Sequence, residues 1–342
     1  MMLAGTREYI GWRSVDNDGR VEPDFYLANG GGRSMEHTSV LVREVPQYLL
    51  HEDSKIILDG TVGAGGHAQA ILEHHSGVQL IGVDRDPKAL HIAADHLARF
   101  GNRVRLVRGV FPDLDDFLAE VGRVDGVLLD LGFSSMQLDD PSRGFSYSAN
   151  GALDMRMGTD GTPVREWIAQ ADATEITATL RRYGEVRRAK RIARAIKEAA
   201  DTDAMCSTAD LKAAIERALG AGAKPSELSR VFQAFRIQVN GELDLLDRFL
   251  ATVLDHVNPS GRIVIISYHS LEDRAVKMFC KLESATCVCP PGAPVCSCGH
   301  VPRVRVLTRR VVKASPEEVA ANVRARSARL RAVEVIGTRE KP

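Results

Sequence analysis

No stretch of this 342-residue chain approaches the roughly 20 consecutive apolar residues that a membrane-spanning helix requires. The opening residues, MMLAGTREYIGWRSVDNDGR, lack a basic segment followed by an apolar core, so no secretory leader is expected and the cytoplasm is the expected compartment. Net charge is missing as well. The 45 Lys and Arg residues balance 45 Asp and Glu, so the total gives no electrostatic pull toward nucleic acid or membrane. Cysteine is sparse, six in all, and disulfides are disfavoured in a reducing cytosol. Cys206 and Cys280 stand alone. Cys287, Cys289, Cys296 and Cys298 form C-x-C-(six residues)-C-x-C, four soft ligands that could hold Zn²⁺; zinc sites favour C-x-x-C, so a loop of reduced thiols is favoured and no metal is assigned. What remains is a 44% hydrophobic chain with room for one large α/β domain plus an insertion, or for two domains.

The most informative segment present is KIILDGTVGAGGH, from Lys55 to His67. Ile56, Ile57 and Leu58 read as a buried strand ending in Asp59, and a glycine-rich turn leads into helix-compatible residues. Any side chain in that turn would hold a ligand away from the backbone N–H groups. A second apolar run, Leu80 to Val83, ends in Asp84, whose carboxylate suits the two hydroxyls of an adenosine ribose. Strand, glycine loop, helix, strand and acid describe a nucleoside-cofactor site. Gly63-Ala64-Gly65-Gly66-His67-Ala68 also fits the loose dinucleotide pattern, a weak signal alone. Asp59 points elsewhere, because a carboxylate before the loop repels a pyrophosphate but suits the ammonium group of a methionine moiety. The two acids therefore favour S-adenosylmethionine over a nicotinamide dinucleotide.

Further strands are expected at Val104–Arg108, Val124–Asp130 and Arg262–Tyr268, alternating with helices as in a parallel sheet covered on both faces. Between the fourth and fifth of these strands the pattern is helical only: Val164–Gln170, Thr174–Tyr183, Glu185–Ala200, Ser207–Leu219 and a helix from Pro225 whose apolar stripe runs from Leu228 to Leu250. The expected organisation is a flexible extension over 1–36, a core over 37–140, an all-helical insertion for RNA recognition over 141–228, and the rest of the core over 229–342. Charge is sorted although its sum is zero. Arg181 to Lys197 holds eight basic residues against Glu185, with Arg187, Arg191 and Arg194 forming one ridge if helical. Further basic stretches run from Arg303 to Lys313 and from Arg324 to Arg331, so a phosphate-binding face is expected.

Ligands of open α/β sheets sit beyond the carboxyl ends of the strands. That draws together the glycine loop, Asp84, the segment Asp130–Ser135 and Ser267–Ser270. Asp130 offers an oxygen that can hold an exocyclic amine and aim its lone pair at a methyl sulfonium. Phe133 or Tyr268 offers a ring to stack on an unstacked base, and His269 a group to orient substrate. Apart from Cys280, no cysteine lies near these segments, which argues against carbon-5 methylation of a pyrimidine and for transfer to nitrogen or oxygen.

These residues resemble the bacterial 16S ribosomal RNA cytosine-N4 methyltransferases, the RsmH/MraW family. The resemblance is carried by HTSVLVREV from His37, DGTVGAGGH from Asp59, GVDRDPKAL from Gly82 and DGVLLDLGFSSMQLDDPSRGFSY from Asp125. LDMRM from Leu153, FQAFRIQVNGEL from Phe232, SYHSLEDR from Ser267 and NVRARSARLR from Asn322 complete it. It implies a class I S-adenosylmethionine-dependent methyltransferase fold, Rossmann-like, with a mostly parallel seven-stranded sheet and an all-helical insertion. It also implies that Gly65, Gly66, His67, Asp84, Phe111, Asp130 and Gln137 line the cofactor pocket, and that a cytidine in the decoding region of 16S rRNA is the substrate. Met136 and Val323 stand where the family pattern has proline, which alters turns rather than reactive groups. Two rivals are a nicotinamide-dependent oxidoreductase and a non-catalytic RNA-binding or ribosome-assembly factor. The sequence leaves the oligomeric state open, a homodimer included.

Overall fold

A computed structural model describes residues 39–337 except 203, 221, 222, 291, 292 and 294, together with a two-residue ladder pairing Ser14–Val15 with Val21–Glu22. Most of the expected flexible extension lies outside the described residues. The chain divides into two compact units, one formed by 1–132 with 246–342 and the other by 133–245.

The first unit is a seven-stranded sheet. Its strands are β1 (Ile56–Asp59), β2 (Gln79–Asp84), β3 (Val104–Arg108), β4 (Val124–Asp130), β5 (Val257–Ser267), β6 (Val304–Val306) and β7 (Arg329–Val335), in the spatial order β3-β2-β1-β4-β5-β7-β6. The first five are parallel and β7 runs antiparallel to both neighbours. Successive side chains of a strand point to opposite faces. Ile57, Leu80, Leu128 and Val264 thus join a core completed by α1 (Glu44–Leu49), α2 (Gly66–His74) and α3 (Pro87–Leu97). Leu58, Ile81, Val127 and Ile265 join the opposite core with α4 (Leu114–Leu118) and the later helices α11 (Glu242–Thr252) and α12 (Ser270–Glu283). A strand buried on both faces must be apolar throughout, which explains the unbroken runs IIL and LIGV.

Among the described residues the second unit carries the α-helices α5 (Ser135–Asp139), α6 (Val164–Gln170), α7 (Ala173–Gly184), α8 (Ala189–Asp201), α9 (Thr208–Leu219) and α10 (Pro225–Asn240). This unit, 133–245, contains the 141–228 span expected for the helical insertion. The apolar stripe expected from Leu228 to Leu250 does not belong to one helix. Gly241 adopts φ +62°, ends α10 in a left-handed turn and divides the stripe. Phe235 of α10 packs edge-on against Trp167 of α6, 5.9 Å between ring centres, whereas Leu246 and Phe249 of α11 belong to the sheet's core.

Strands β6 and β7 lie in the two C-terminal basic stretches, which are therefore not free phosphate-binding faces throughout. In β7, RLRAVEV, Leu330 and Ala332 are buried while Arg329 and Arg331 are half-buried. Arg331 bonds Asp273 at 2.8 Å, Arg305 bonds Glu334 at 2.6 Å and Arg303 reaches Asp255 at 2.5 Å. A short helix, α13 (Pro316–Ala321), lies between β6 and β7. No helix among the described residues is long and apolar enough to cross a membrane.

Candidate active site

The sheet order reverses beside β1. The chain moves outward through β2 and β3, then returns to lay β4 on the other side of β1, which opens a crevice beyond the carboxyl ends of these strands. Asp59, Asp84 and Asp130 are the last residues of β1, β2 and β4. Tyr268 follows the last residue of β5.

Four side chains of the first unit form one polar cluster there. The Tyr268 hydroxyl donates to Asp130 Oδ1 at 2.8 Å, and His67 Nε2 lies 3.3 Å from Asp130 Oδ2. His67 is buried, and neither ring nitrogen has a well-aligned hydrogen bond among the described residues. Asp59 is also buried. Its Oδ1 accepts from the Thr61 amide at 3.1 Å, while Oδ2 has no hydrogen-bond partner among the described residues. Asp130 is more accessible than His67, its side chain 23% exposed against 5%.

Burial governs the electrostatics. Desolvation pushes the Asp59 carboxyl up to about 7, a shift that the neighbouring His67 and the Thr61 amide only partly oppose. Burial also opposes charge on His67, but the Asp130 carboxylate and then Asp59 outweigh it and hold the imidazole above its ordinary value. Desolvation, and then the adjacent Asp130, raise the Tyr268 phenol well above the usual range, so it remains a hydrogen-bond donor. Asp84 is pushed up to about 6 by burial, against the amides of Asp86 and Gly63 that donate to it.

The loop from Gly60 to Gly66 owes its shape to two constraints. Gly63 and Gly65 take φ of +52° and +88°, where side chains are strained. Gly66 opens α2, and a Cβ there would collide with Ser39 Oγ. Part of the glycine requirement is thus internal packing, not only access for a ligand. Asp84 Oδ2 accepts from the Gly63 amide at 2.9 Å, and His96 of α3 bonds the Ala64 carbonyl at 2.9 Å. Phe111 is half-buried and meets Phe249 edge-on at 5.6 Å.

The other expected residues have different surroundings. His269 is the N-cap of α12: its Nδ1 accepts from the Glu272 amide at 3.4 Å, and Nε2 faces Glu272 Oε1 at 3.1 Å. This gives it a structural duty where substrate orientation was expected. Tyr268, expected to offer its ring, contacts Asp130 through its hydroxyl. In the second unit, Phe133 stacks on Phe145 with ring centres 5.2 Å apart, and the Arg236 guanidinium lies 4.8 Å from its centre. Gln137 closes the capping box of α5 with Ser134 and donates to the Met157 carbonyl at 2.9 Å.

The arginine ridge is shorter than expected. Glu185 adopts φ +50° and ends α7, so Arg187 lies in the turn before α8, while Arg191 and Arg194 share the exposed face of α8 with Lys190. Ile192, Ala193, Ile196 and Ala199 occupy the buried face. Arg187, Arg191 and Arg194 have no carboxylate partner among the described residues, unlike Arg188, which pairs with Glu227 at 3.2 Å.

Two contributors were not identified from sequence. Thr61 Oγ1 accepts from the Asp130 amide at 2.7 Å and ties β1 to β4. Glu318 Oε1 accepts from the Leu41 amide at 2.7 Å, and its charge helps raise His67 and Tyr268. Its 277-residue separation from Leu41 left no local signal to read.

Residues 34–336 match the model of the MraW methylase family. The chain is 46% identical to the ribosomal RNA small subunit methyltransferase H of Syntrophotalea carbinolica, over 87% of this chain and 97% of that relative. It is 46% identical to the protein of the same name from an Anaeromyxobacter species, over 88% and 98%, and 44% identical to that from Heliobacterium modesticaldum, over 88% and 98%.

Proposed function

Because the chain belongs to the MraW methylase family, we propose that it methylates small-subunit ribosomal RNA, using S-adenosylmethionine to modify the exocyclic N4 of a cytidine in the decoding region of 16S rRNA. The observation that carries this reading is the accessible Asp130 carboxylate, held between Tyr268 and His67 beside the buried, unpartnered Oδ2 of Asp59. The nicotinamide reading is set aside by family membership.

The residues fit the cofactor chemically. Asp59 Oδ2 would take the ammonium group of the methionine moiety, and the glycine loop from Gly63 to Gly66 would accommodate its carboxylate end. Asp84 would accept the ribose hydroxyls, and Phe111 would border the adenine. S-adenosylmethionine, when bound, supplies an electrophilic methyl group on a sulfonium. Asp130 would accept an N–H from the cytosine amine and point the nitrogen lone pair at that methyl. The Tyr268 hydroxyl and His67 would fix the carboxylate's rotation, so that alignment rather than covalent activation lowers the barrier. The proton lost from the alkylated nitrogen would leave through Asp130.

Incubation with tritiated S-adenosylmethionine and undermethylated small subunits, followed by nucleoside digestion, is expected to yield labelled N4-methylcytidine. Digests without that nucleoside, while cofactor and RNA binding persist, would leave the chain a non-catalytic binder. Parallel reactions with naked 16S rRNA and with assembled subunits identify which form is used.

The exposed arginines give a separate expectation. Replacing Arg187, Arg191 and Arg194 together with glutamine should weaken RNA binding and reduce the slope of log affinity against log salt by about 2, since each single-strand phosphate contact contributes about 0.7. An unchanged slope would mean that these side chains are merely solvated.

A further inference from the structure

The strongest unassigned feature is the cysteine cluster between α12 and β6. Its C-x-C spacing argued for metal-free thiols, but the tertiary arrangement argues the reverse. Cys287 Sγ lies 3.5 Å from Cys296 Sγ and 3.9 Å from Cys298 Sγ. Cys296 Sγ lies 3.9 Å from Cys289 Sγ and 3.5 Å from Cys298 Sγ. All four sulfurs fall within 4.8 Å of one another. A tetrahedral zinc site with Zn–S bonds of about 2.3 Å has S···S edges of about 3.8 Å, in the middle of these separations. Disulfide bonds need about 2.05 Å.

We propose that Cys287, Cys289, Cys296 and Cys298 hold one thiophilic divalent cation, Zn²⁺, as a tetrathiolate structural centre. Four protein ligands complete its coordination and leave no position for a substrate or water, so the centre serves structure rather than catalysis. Backbone amides already point at the sulfurs. Val288 N donates to Cys298 Sγ and Cys289 N to Cys287 Sγ, each at 3.4 Å, the outer contacts that stabilise metal-bound thiolates.

The loop also needs such a centre. No helix or strand occurs among its described residues between α12 and β6, and Val288, Val295 and Val301 are exposed rather than gathered into a core. Its base is closed by the Arg303 amide donating to the Glu283 carbonyl at 2.7 Å and by His300 Nε2, 3.0 Å from the Leu282 carbonyl. Beyond that base, a metal replaces the missing apolar interior, as in small domains that fold around an ion. The loop follows the last turn of α12, a 14-residue helix, so about 20 Å of helix separates it from His269. The centre therefore fixes the approach to the edge strand β6 without taking part in methyl transfer.

Elemental analysis of the full chain, purified under reducing conditions without added metal, should find about one zinc per chain. The variant with all four cysteines changed to serine should fall to background, and Cys206→Ser should keep its metal. Cobalt substitution of the wild-type protein should produce the intense visible bands and thiolate charge-transfer band of tetrahedral sulfur coordination. That second readout needs no variant to fold. Chelation should expose residues 284–302 to limited proteolysis. Equal zinc in the wild type and the four-serine variant, or cobalt spectra without sulfur charge transfer, would overturn the proposal. So would four native thiols that react freely without releasing metal.

Discussion

Asp130→Asn is expected to reduce methyl transfer by about 10²- to 10⁴-fold, the range spanned by a positioned proton acceptor. The substitution keeps the volume and one acceptor oxygen for the Tyr268 hydroxyl, but replaces the oxygen facing His67 with an amide or swaps the two. It also removes the charge that outweighs burial in holding the imidazole's proton. The cytosine amine then meets a site that cannot accept both its hydrogen bond and its departing proton. Because Asp130 is partly exposed, the fold should survive, and circular dichroism should match the wild type. Cofactor affinity should change far less than turnover, since the loss concerns the reacting nitrogen. Single-turnover rates with saturating subunits measure the effect. Near-wild-type turnover in Asp130→Asn would remove Asp130 from the reaction.

The second large effect is expected at Asp59, and it has two opposite signs. Asp59→Asn should weaken cofactor binding by about 10- to 100-fold, or about 1.4–2.8 kcal/mol, because a neutral amide cannot pair with the ligand's ammonium. The ligand-free protein should become more stable. The wild-type carboxyl is raised from 3.8 to about 7 by burial. Below pH 3.8 it is protonated in folded and unfolded chains alike and contributes nothing to the difference with asparagine. Between pH 3.8 and 7 the unfolded chain ionises while the folded one is held protonated, so wild-type stability falls as pH rises, and the loss levels off above about 7. The rise from 3.8 to about 7 sets an upper limit of ~4 kcal/mol, which local relaxation will reduce. His67, held above its ordinary value, acts in the same direction: its contribution is complete below pH 6.5 and is lost as pH rises through the folded value. Thermal melts of the apo proteins should therefore differ little at pH 4 and should favour Asp59→Asn clearly at pH 8. Calorimetric titration should show cofactor affinity rising with pH through about 7 more steeply in the wild type than in the variant, which keeps only the contribution of Asp84 near 6. Equal affinities for the two proteins across that range would exclude an ammonium contact at Asp59.

The strands β1, β2 and β4 were legible because a strand buried on both faces must be continuously apolar, and IIL, LIGV and VLL have no other economical reading; the edge strand β3, VRLVR, showed itself only by alternation. Two further strands were hidden in plain view. In β7 the arginines of RLRAVEV alternate with core residues, yet the same letters count as a run of positive charge until Asp273 is seen beside Arg331. The break at Gly241 was equally hidden, since an apolar stripe continues through it and only the backbone's left-handed turn shows where one helix stops. His269 was open to two readings, substrate orientation or structure, because histidine at a strand end is chemically ambiguous. Its ring's engagement with Glu272 is a cap geometry that spacing alone does not distinguish.

By itself the sequence determined the first five strands, the glycine turn, and the three acids that close β1, β2 and β4. All of these rest on interactions between near neighbours or on the simple rule that buried strands are apolar. Only the tertiary structure decided which groups come together: that Asp130 stands between Tyr268 and His67, that Asp59 is sealed from water, and that four cysteine sulfurs lie within 4.8 Å of one another. Those properties depend on distance and desolvation between residues up to 138 positions apart, and both are fixed by packing rather than by position along the chain.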